Sequence, residues 1–172
     1  DLRSVSVEAS ERFELSVDNN DVGGGRFWMG LGSNCKLGCG GAGQCHEAPP
    51  PDHDCHHAAF DGQQGDPSRE GWDGHYAHVG KLGTVQELVI NGRTGGHHPI
   101  HIHVNHFQIV AYEGSADLSA WAEIGDWRDV VPALPGRLTV RFLAADLPGE
   151  VIVHCHILRH EDLGMMDSFY LL

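Results

Sequence analysis

Short segments in which apolar and polar residues alternate set the strongest limit on how this chain can fold. An alternation of two residues puts successive side chains on opposite faces of a β-strand. The pattern predicts strands at "SVSVEAS", "RFELSVDN", "TVQELVING", "HFQIVAYEG", "RLTVRFLAA", "GEVIVHC" and "DSFYLL". Turn-forming Gly, Pro, Asn and Asp separate them, and "ILRHEDLG" offers one or two helical turns. The sequence therefore predicts an all-β antiparallel sandwich.

Residues 21–74 interrupt this pattern with a stretch rich in Gly, Pro and Asp, which is unusual in a compact domain unless it is stapled or functional. Four of the chain's five cysteines cluster there: Cys35, Cys39, Cys45 and Cys55. We predict two disulfides, in one of three connectivities, and hence an oxidising extracellular or secreted location, with the periplasm and the cell surface included. A zinc site is the alternative, because histidines lie nearby at His46, His53, His56 and His57. The spacing lacks the paired C-x2-C motifs of common zinc modules and favours disulfides.

Composition narrows the function classes. The 172 residues, 41% hydrophobic and 20% charged, suit one globular domain. A net charge of −13 argues against a nucleic-acid partner, because phosphate binding requires clustered Lys and Arg. No apolar stretch approaches the roughly 20 residues of a membrane-spanning helix. The amino terminus lacks a signal-peptide pattern, so we expect a mature chain, a fragment or an inner portion of a longer product.

Histidines concentrate in two stretches, "HHPIHIHVNH" (97–106) and "HCHILRH" (154–160), which hold eight of the chain's fourteen. Strand alternation puts the two histidines that flank Cys155 on one face and the cysteine on the other. The same rule puts His98 on the face opposite to that of His101 and His103. The sequence thus predicts two metal sites back to back. One comprises His101, His103, His154 and His156, and the other comprises His98, Cys155 and His160, with Met165 beyond.

The second set has a distinctive chemistry. Two imidazoles and a thiolate in a trigonal plane, with a weak axial thioether, form a blue-copper electron-transfer site. This assignment gives the unpaired Cys155 a role as a copper ligand. Met165 is the candidate axial ligand, although it has an alternative role as core filler beside Met166. The all-imidazole set suits zinc or copper. Two of its members, His154 and His156, are bonded in sequence to Cys155 and offer a through-bond electron route between the sites.

The stretches "HHPIHIHVNHFQIV" and "VIVHCHILRHEDLGMM" resemble the two carboxy-terminal copper motifs of multicopper oxidases, H-P-x-H-x-H and H-C-H-x3-H-x4-M. The resemblance implies a cupredoxin-like Greek-key β-sandwich, the last plastocyanin-like domain of such an oxidase, with residues 21–74 as a Cys-rich loop insertion in a single domain spanning 1–172. It implies copper as the cofactor and Cys155 and His160 as the residues that pass electrons from the reductant. The implied type 1 copper ligands are His98, Cys155, His160 and Met165. The implied type 2 ligand is His101, and the implied type 3 ligands are His103, His154 and His156.

The resemblance also shows what is missing. Such an oxidase reduces O2 to water at a three-copper cluster held by eight histidines, and this chain matches the motifs of four. Other cupredoxin domains, from the same polypeptide, another chain or an oligomer, are therefore expected as partners, together with O2 and a small reducing substrate or metal ion. The alternative is an electron-transfer or copper-binding module in an extracellular assembly. Glu161 and Asp162, which follow His160, either favour a cationic reductant such as Fe(II) or are solvated turn residues.

Overall fold

The computed structural model describes residues 1–18, 28–32, 55–56, 78–92, 98–162 and 165–172. Its strands are β1 (Arg12–Asp18), β2 (Trp28–Gly32), β3 (Cys55–His56), β4 (Val79–Gly80), β5 (Val85–Gly92), β6 (His98–Ile102), β7 (Phe107–Gly114), β8 (Trp127–Arg128), β9 (Val130–Ala133), β10 (Gly136–Leu143), β11 (Gly149–Cys155) and β12 (Met166–Leu171). The helices are three short 3-10 turns (Leu2–Ser4, Ala9–Glu11 and Leu118–Ala120) and α1 (Leu158–Asp162).

The strands form two sheets. The first has seven strands in the order β3-β2-β1-β5-β10-β7-β8, and the second has five in the order β4-β12-β11-β6-β9. Neighbours run antiparallel except for β1 with β5 and β12 with β4. The predicted all-β sandwich is confirmed, and the helical signal at "ILRHEDLG" corresponds to α1.

The core lies between the inner faces of the two sheets, and its residues follow the two-residue alternation. On β10, Leu138, Val140 and Phe142 are fully buried, while the residues between them are not. On β11, the side chains of Val151 and Val153 are buried in the same cluster. Each such side chain stabilises the fold by about 1.5–3 kcal/mol relative to an exposed one. Because these valines must face the apolar interior, strand alternation determines which face of the sheet each later residue of β11 occupies.

The segment "SVSVEAS" was predicted as a strand, and this prediction is wrong. It comprises the end of the first 3-10 turn, the link that follows and the start of the second 3-10 turn, and the guanidinium of Arg141 binds the backbone at its beginning. Arg141 Nη1 donates to the carbonyl oxygens of Leu2, Arg3 and Val5, at 2.7, 3.1 and 3.0 Å. These carbonyls therefore bind a side chain instead of a neighbouring strand.

The range 21–74, assigned from sequence to a loop insertion, contributes β2 and β3 to the seven-stranded sheet. Cys35, Cys39, Cys45, His46, His53 and His57 lie outside the described residues, and Cys55 and His56 are described by their backbone alone. The disulfides, the zinc alternative and the domain boundaries stay predictions. Within the described ranges, none of the helices has the length and apolar character needed to cross a membrane.

Candidate metal centres

Two adjacent antiparallel strands, β6 and β11, bring the histidine clusters together. His154 lies opposite His101, and Cys155 lies opposite Ile100. On β6 the burial alternates, so His98 and Ile100 are buried and His101 is half-buried. Cys155 belongs to the core cluster with Ile100. Strand alternation therefore directs His98 and Cys155 inward and leaves His101 on the outer face of the same sheet.

The inward-facing group consists of His98, Cys155 and His160, the last carried by α1. The Cys155 Sγ lies 3.6 Å from His98 Nδ1 and 3.5 Å from His160 Nδ1. The two Nδ1 atoms are 3.1 Å apart. A point equidistant from the corners of this triangle lies about 2.0 Å from each atom, close to ordinary metal–nitrogen and metal–thiolate bond lengths. One thiolate and two imidazoles at this spacing fit a bound copper ion.

Backbone hydrogen bonds hold Met165 beside this triangle. Its carbonyl oxygen accepts from the Cys155 N–H at 3.0 Å, and its own N–H donates to the His160 carbonyl oxygen at 2.9 Å. Its side chain is fully buried and belongs to the core cluster. These contacts suit both an axial thioether and a core residue, so the axial role stays a prediction.

Burial shifts the pKa values of two members of the inward-facing group, Cys155 and His160. Burial raises the pKa of the Cys155 thiol, and the negative charge of Glu161 adds to this, while a hydrogen bond from the Ile157 N–H opposes it. Burial also lowers the pKa of His160 and so favours its neutral form. A neutral imidazole is ready to bind a metal, whereas the thiol must lose its proton when one binds.

The outer group consists of imidazoles. His103 Nε2 and His154 Nε2 are 3.0 Å apart, and the ligand atoms of these two residues and of His101 all lie within 4.8 Å of one another. Burial lowers the pKa of His103, and the neighbouring histidines lower it further. The His156 ring is exposed, with its centroid 5.4 Å from those of His101 and His154. The structure thus gathers three of the four predicted histidines into one tight group and places the fourth at its edge.

Backbone and carboxylate oxygens orient these rings. The Asp129 carbonyl oxygen accepts from His101 Nδ1 at 2.8 Å. The Cys155 carbonyl oxygen accepts from His154 Nδ1 at 3.2 Å, with Glu161 Oε2 at 3.5 Å from the same nitrogen. A ring that donates through Nδ1 keeps Nε2 free to bind a metal. The sequence did not predict the role of Asp129, because any residue type can supply a main-chain carbonyl. It also did not predict that Glu161 lies near His154.

The chain reverses immediately after His103. Val104 has a φ of +68°, and the Asn105 N–H donates to the His103 carbonyl oxygen at 2.7 Å. This is a γ-turn, in which a β-branched residue is strained. The turn ends β6 at the imidazole group and sends the chain to β7 in the other sheet.

Comparison with known proteins identifies the family. The family model described as multicopper oxidase matches residues 48–171, which include both histidine clusters. The chain belongs to the multicopper oxidase family. It is 32% identical over 100 residues to the iron transport multicopper oxidase fio1 of Schizosaccharomyces pombe, an alignment that covers 54% of this chain and 16% of the relative. It is 34% identical over 113 residues to a laccase of Bacillus subtilis, covering 55% of this chain and 22% of that protein.

Solved multicopper oxidase structures share the fold. A multicopper oxidase from Campylobacter jejuni, described as a metallo-oxidase, has 31% identity and a TM-score of 0.50 over 60% of this chain and 22% of that one. A multi-copper oxidase from Pediococcus acidilactici matches 98% of this chain and 28% of its own at a TM-score of 0.55, with 21% identity, and shows the fold alone. The predicted cupredoxin-like fold is confirmed. The chain spans about a sixth to a fifth of the length of the two curated relatives described above.

Proposed function

We propose that this chain is the copper-binding cupredoxin-like domain through which a multicopper oxidase passes electrons from a reducing substrate toward O2. One observation carries the proposal: Cys155 lies in the buried triangle with His98 and His160, while its neighbour His154 joins the imidazole group on the other face of the sheet. A single strand end thus contacts two candidate metal sites. The family membership supports copper as the metal at both.

The inward-facing residues have defined tasks in this proposal. His98 and His160 supply imidazole nitrogens, Cys155 supplies the thiolate, and Met165 supplies the axial thioether. Copper bound there would accept and release one electron at a time with little rearrangement. The buried surroundings exclude water from the sulfur, and half-exposed His160 connects the group to solvent.

The outer residues have a second task. His101 is the proposed type 2 ligand, and the proposed type 3 ligands are His103, His154 and His156. The peptide bonds between Cys155 and its two histidine neighbours would provide the path for electrons between the two sites. The carbonyl oxygens of Asp129 and Cys155 accept from Nδ1 of His101 and His154, which leaves Nε2 of both rings toward the metal.

Four of the eight cluster ligands must come from elsewhere, because this chain supplies the other four. We propose that other cupredoxin domains complete the cluster and that the assembled protein couples four one-electron oxidations of a substrate to the reduction of O2 to two molecules of water. An extracellular or periplasmic location remains part of the proposal through the predicted disulfides.

Copper loading tests the proposal. The chain, loaded with copper and dialysed, is expected to show an intense absorbance near about 600 nm, typical of a copper–thiolate site. Cys155→Ser is expected to lose this band while its circular dichroism spectrum stays unchanged. His106→Ala is the matched control, because His106 is an exposed histidine of the same cluster that belongs to neither metal-binding group. Retention of the band in Cys155→Ser would overturn the assignment.

Copper stoichiometry separates the oxidase from the electron-transfer module. Four coppers per assembled unit together with O2 uptake support the oxidase. A single blue copper in the assembled protein, with no O2 uptake, supports the module.

A further inference from the structure

Arg159 places a positive charge next to His160, although the whole chain has a net charge of −13. Arg159 directly precedes His160 in α1 and is exposed, while the His160 ring is half-exposed. Leu158, at the start of the same helix, is 72% exposed, and Ile157 before it is 37% exposed. The exposed residues near His160 in the chain therefore include one cation and two apolar side chains, together with Asp162.

The neighbouring acidic residue points elsewhere. Glu161 is partly buried, and its Oε2 lies 3.5 Å from Nδ1 of His154. Its negative charge adds to the burial that raises the pKa of Cys155 and partly opposes the burial that lowers the pKa of His103. Glu161 is therefore oriented toward the metal-binding groups, with its side chain 31% exposed. Asp162 is the exposed acid that remains in α1.

Arg159 is the exposed cation next to His160 in α1. Burial lowers the pKa of His160, and the positive charge of Arg159 lowers it further. A cation exposed beside this ring repels a cationic molecule that approaches it and attracts an anionic one. The sequence left two interpretations of Glu161 and Asp162, as residues that favour a cationic reductant or as solvated turn residues, and the positions of Arg159 and Glu161 argue against the first.

We propose that Arg159 is a specificity-determining residue that makes the surface around His160 select anionic reductants with an apolar body over cationic ones. The inference rests on the proposed function, in which His160 receives electrons. The reductant loses one electron and copper(II) gains it to become copper(I), so no further reactant is needed. Leu158 and Ile157 provide the apolar contact, and Arg159 provides the charge.

Stopped-flow reduction of the blue centre tests this selection with two one-electron reductants of opposite charge, ferrocyanide and hexaammineruthenium(II). At low ionic strength, Arg159→Gln is expected to slow reduction by ferrocyanide about three- to tenfold and to speed reduction by the cation about two- to threefold. Both effects should largely disappear near 1 M salt, where screening acts within about 3 Å. Arg137→Gln, the same charge change at an exposed position on β10, is the control and should alter either rate by less than about 1.5-fold.

A charge effect changes the two rates in opposite directions. A changed copper potential alters the driving force for both reductants in the same sense, so it would raise or lower both rates together. A second measurement needs no copper. In the metal-free chain, the redox-inert anion hexacyanocobaltate(III) should shift the amide resonances of residues 157–162 in a nuclear magnetic resonance titration. Arg159→Gln should remove this shift, and Arg137→Gln should retain it.

The outcomes distinguish the two proposals. A blue chain whose reduction rates do not respond to Arg159→Gln overturns the role of Arg159 and leaves the copper assignment standing. A chain with no blue band overturns the proposed function, and the anion titration then still decides whether this surface selects anions. Equal responses to Arg159→Gln and Arg137→Gln would mean that net charge governs the approach, which overturns the inference.

Discussion

Replacing Arg141 with methionine should destabilise the fold more than any comparable change on the same strand. The side chains of Arg141 and Glu87 are 14% and 11% exposed, and Arg141 Nη2 lies 2.7 Å from Glu87 Oε2. Arg141 Nη1 also donates to the carbonyl oxygens of Leu2, Arg3 and Val5. Arg141→Met keeps the length of the stem but leaves the largely buried Glu87 carboxylate with only the half-exposed Arg12, whose Nε lies 3.2 Å from Glu87 Oε1. We expect a loss of about 2–3 kcal/mol of unfolding free energy, below the roughly 3–5 kcal/mol of a buried charge with no partner left.

Arg137→Met is the matched control, because Arg137 lies on the same strand and also pairs with a glutamate of the same sheet, Glu14 of β1. Its side chain is 56% exposed, and its Nη2 lies 3.5 Å from Glu14 Oε1. A pair of this kind contributes about 0–1 kcal/mol. Urea unfolding followed by circular dichroism measures both variants, with the slope compared to establish that the same surface is exposed.

The double variant Arg141→Met, Glu87→Gln completes the test. Removing the Glu87 charge should recover part of the lost stability, because part of the cost comes from a buried carboxylate that keeps only the half-exposed Arg12. Equal unfolding free energies for Arg141→Met and Arg137→Met would refute the reasoning from burial. A double variant no more stable than Arg141→Met would refute the role of the Glu87 charge.

Three further predictions concern the copper group and the far end of the sandwich. Met165→Leu should keep the blue absorbance and raise the reduction potential, since it removes a weak axial ligand; loss of copper on equilibrium redox titration would contradict the axial role. Glu161→Gln should weaken metal binding by the outer imidazoles about ten- to hundredfold in a copper titration, because it removes a negative charge 3.5 Å from His154 Nδ1; unchanged affinity would contradict this. Burial lowers the pKa of His78 from 6.5, and this effect is partly opposed by a hydrogen bond with Gln86 and by the charge of Glu11. The folded protein therefore holds His78 neutral more readily than the unfolded chain does. This contribution to stability is present above pH 6.5 and is lost as the pH falls below that value. His78→Gln should flatten this slope, measured as unfolding free energy against pH; an unchanged slope would assign it to other groups.

Local alternation predicted much of the fold from the sequence. "GEVIVHC" coincides with β11, and the opposite orientation of His98 and His101 agrees with the burial pattern of β6. These features depend on neighbours one or two residues away, where the two-residue period of a strand acts directly.

Long-range contacts account for what the sequence did not predict. "SVSVEAS" alternates like a strand, but Arg141, more than 130 residues later, binds the Val5 carbonyl within it and the carbonyls of Leu2 and Arg3 just before it. The pairing of His154 with His101 depends on the register of two strands distant in sequence. The Asp129 carbonyl that orients His101 could belong to any residue type. Each depends on which segments the sandwich brings together.

The most direct test of the central claim is an anomalous difference map, recorded at the copper edge from crystals of the copper-loaded chain. The map should show a peak within about 2.0–2.3 Å of Cys155 Sγ and of the Nδ1 atoms of His98 and His160. A copper peak confined to the outer imidazoles, or a Cys155 sulfur bonded to another cysteine, would contradict the account.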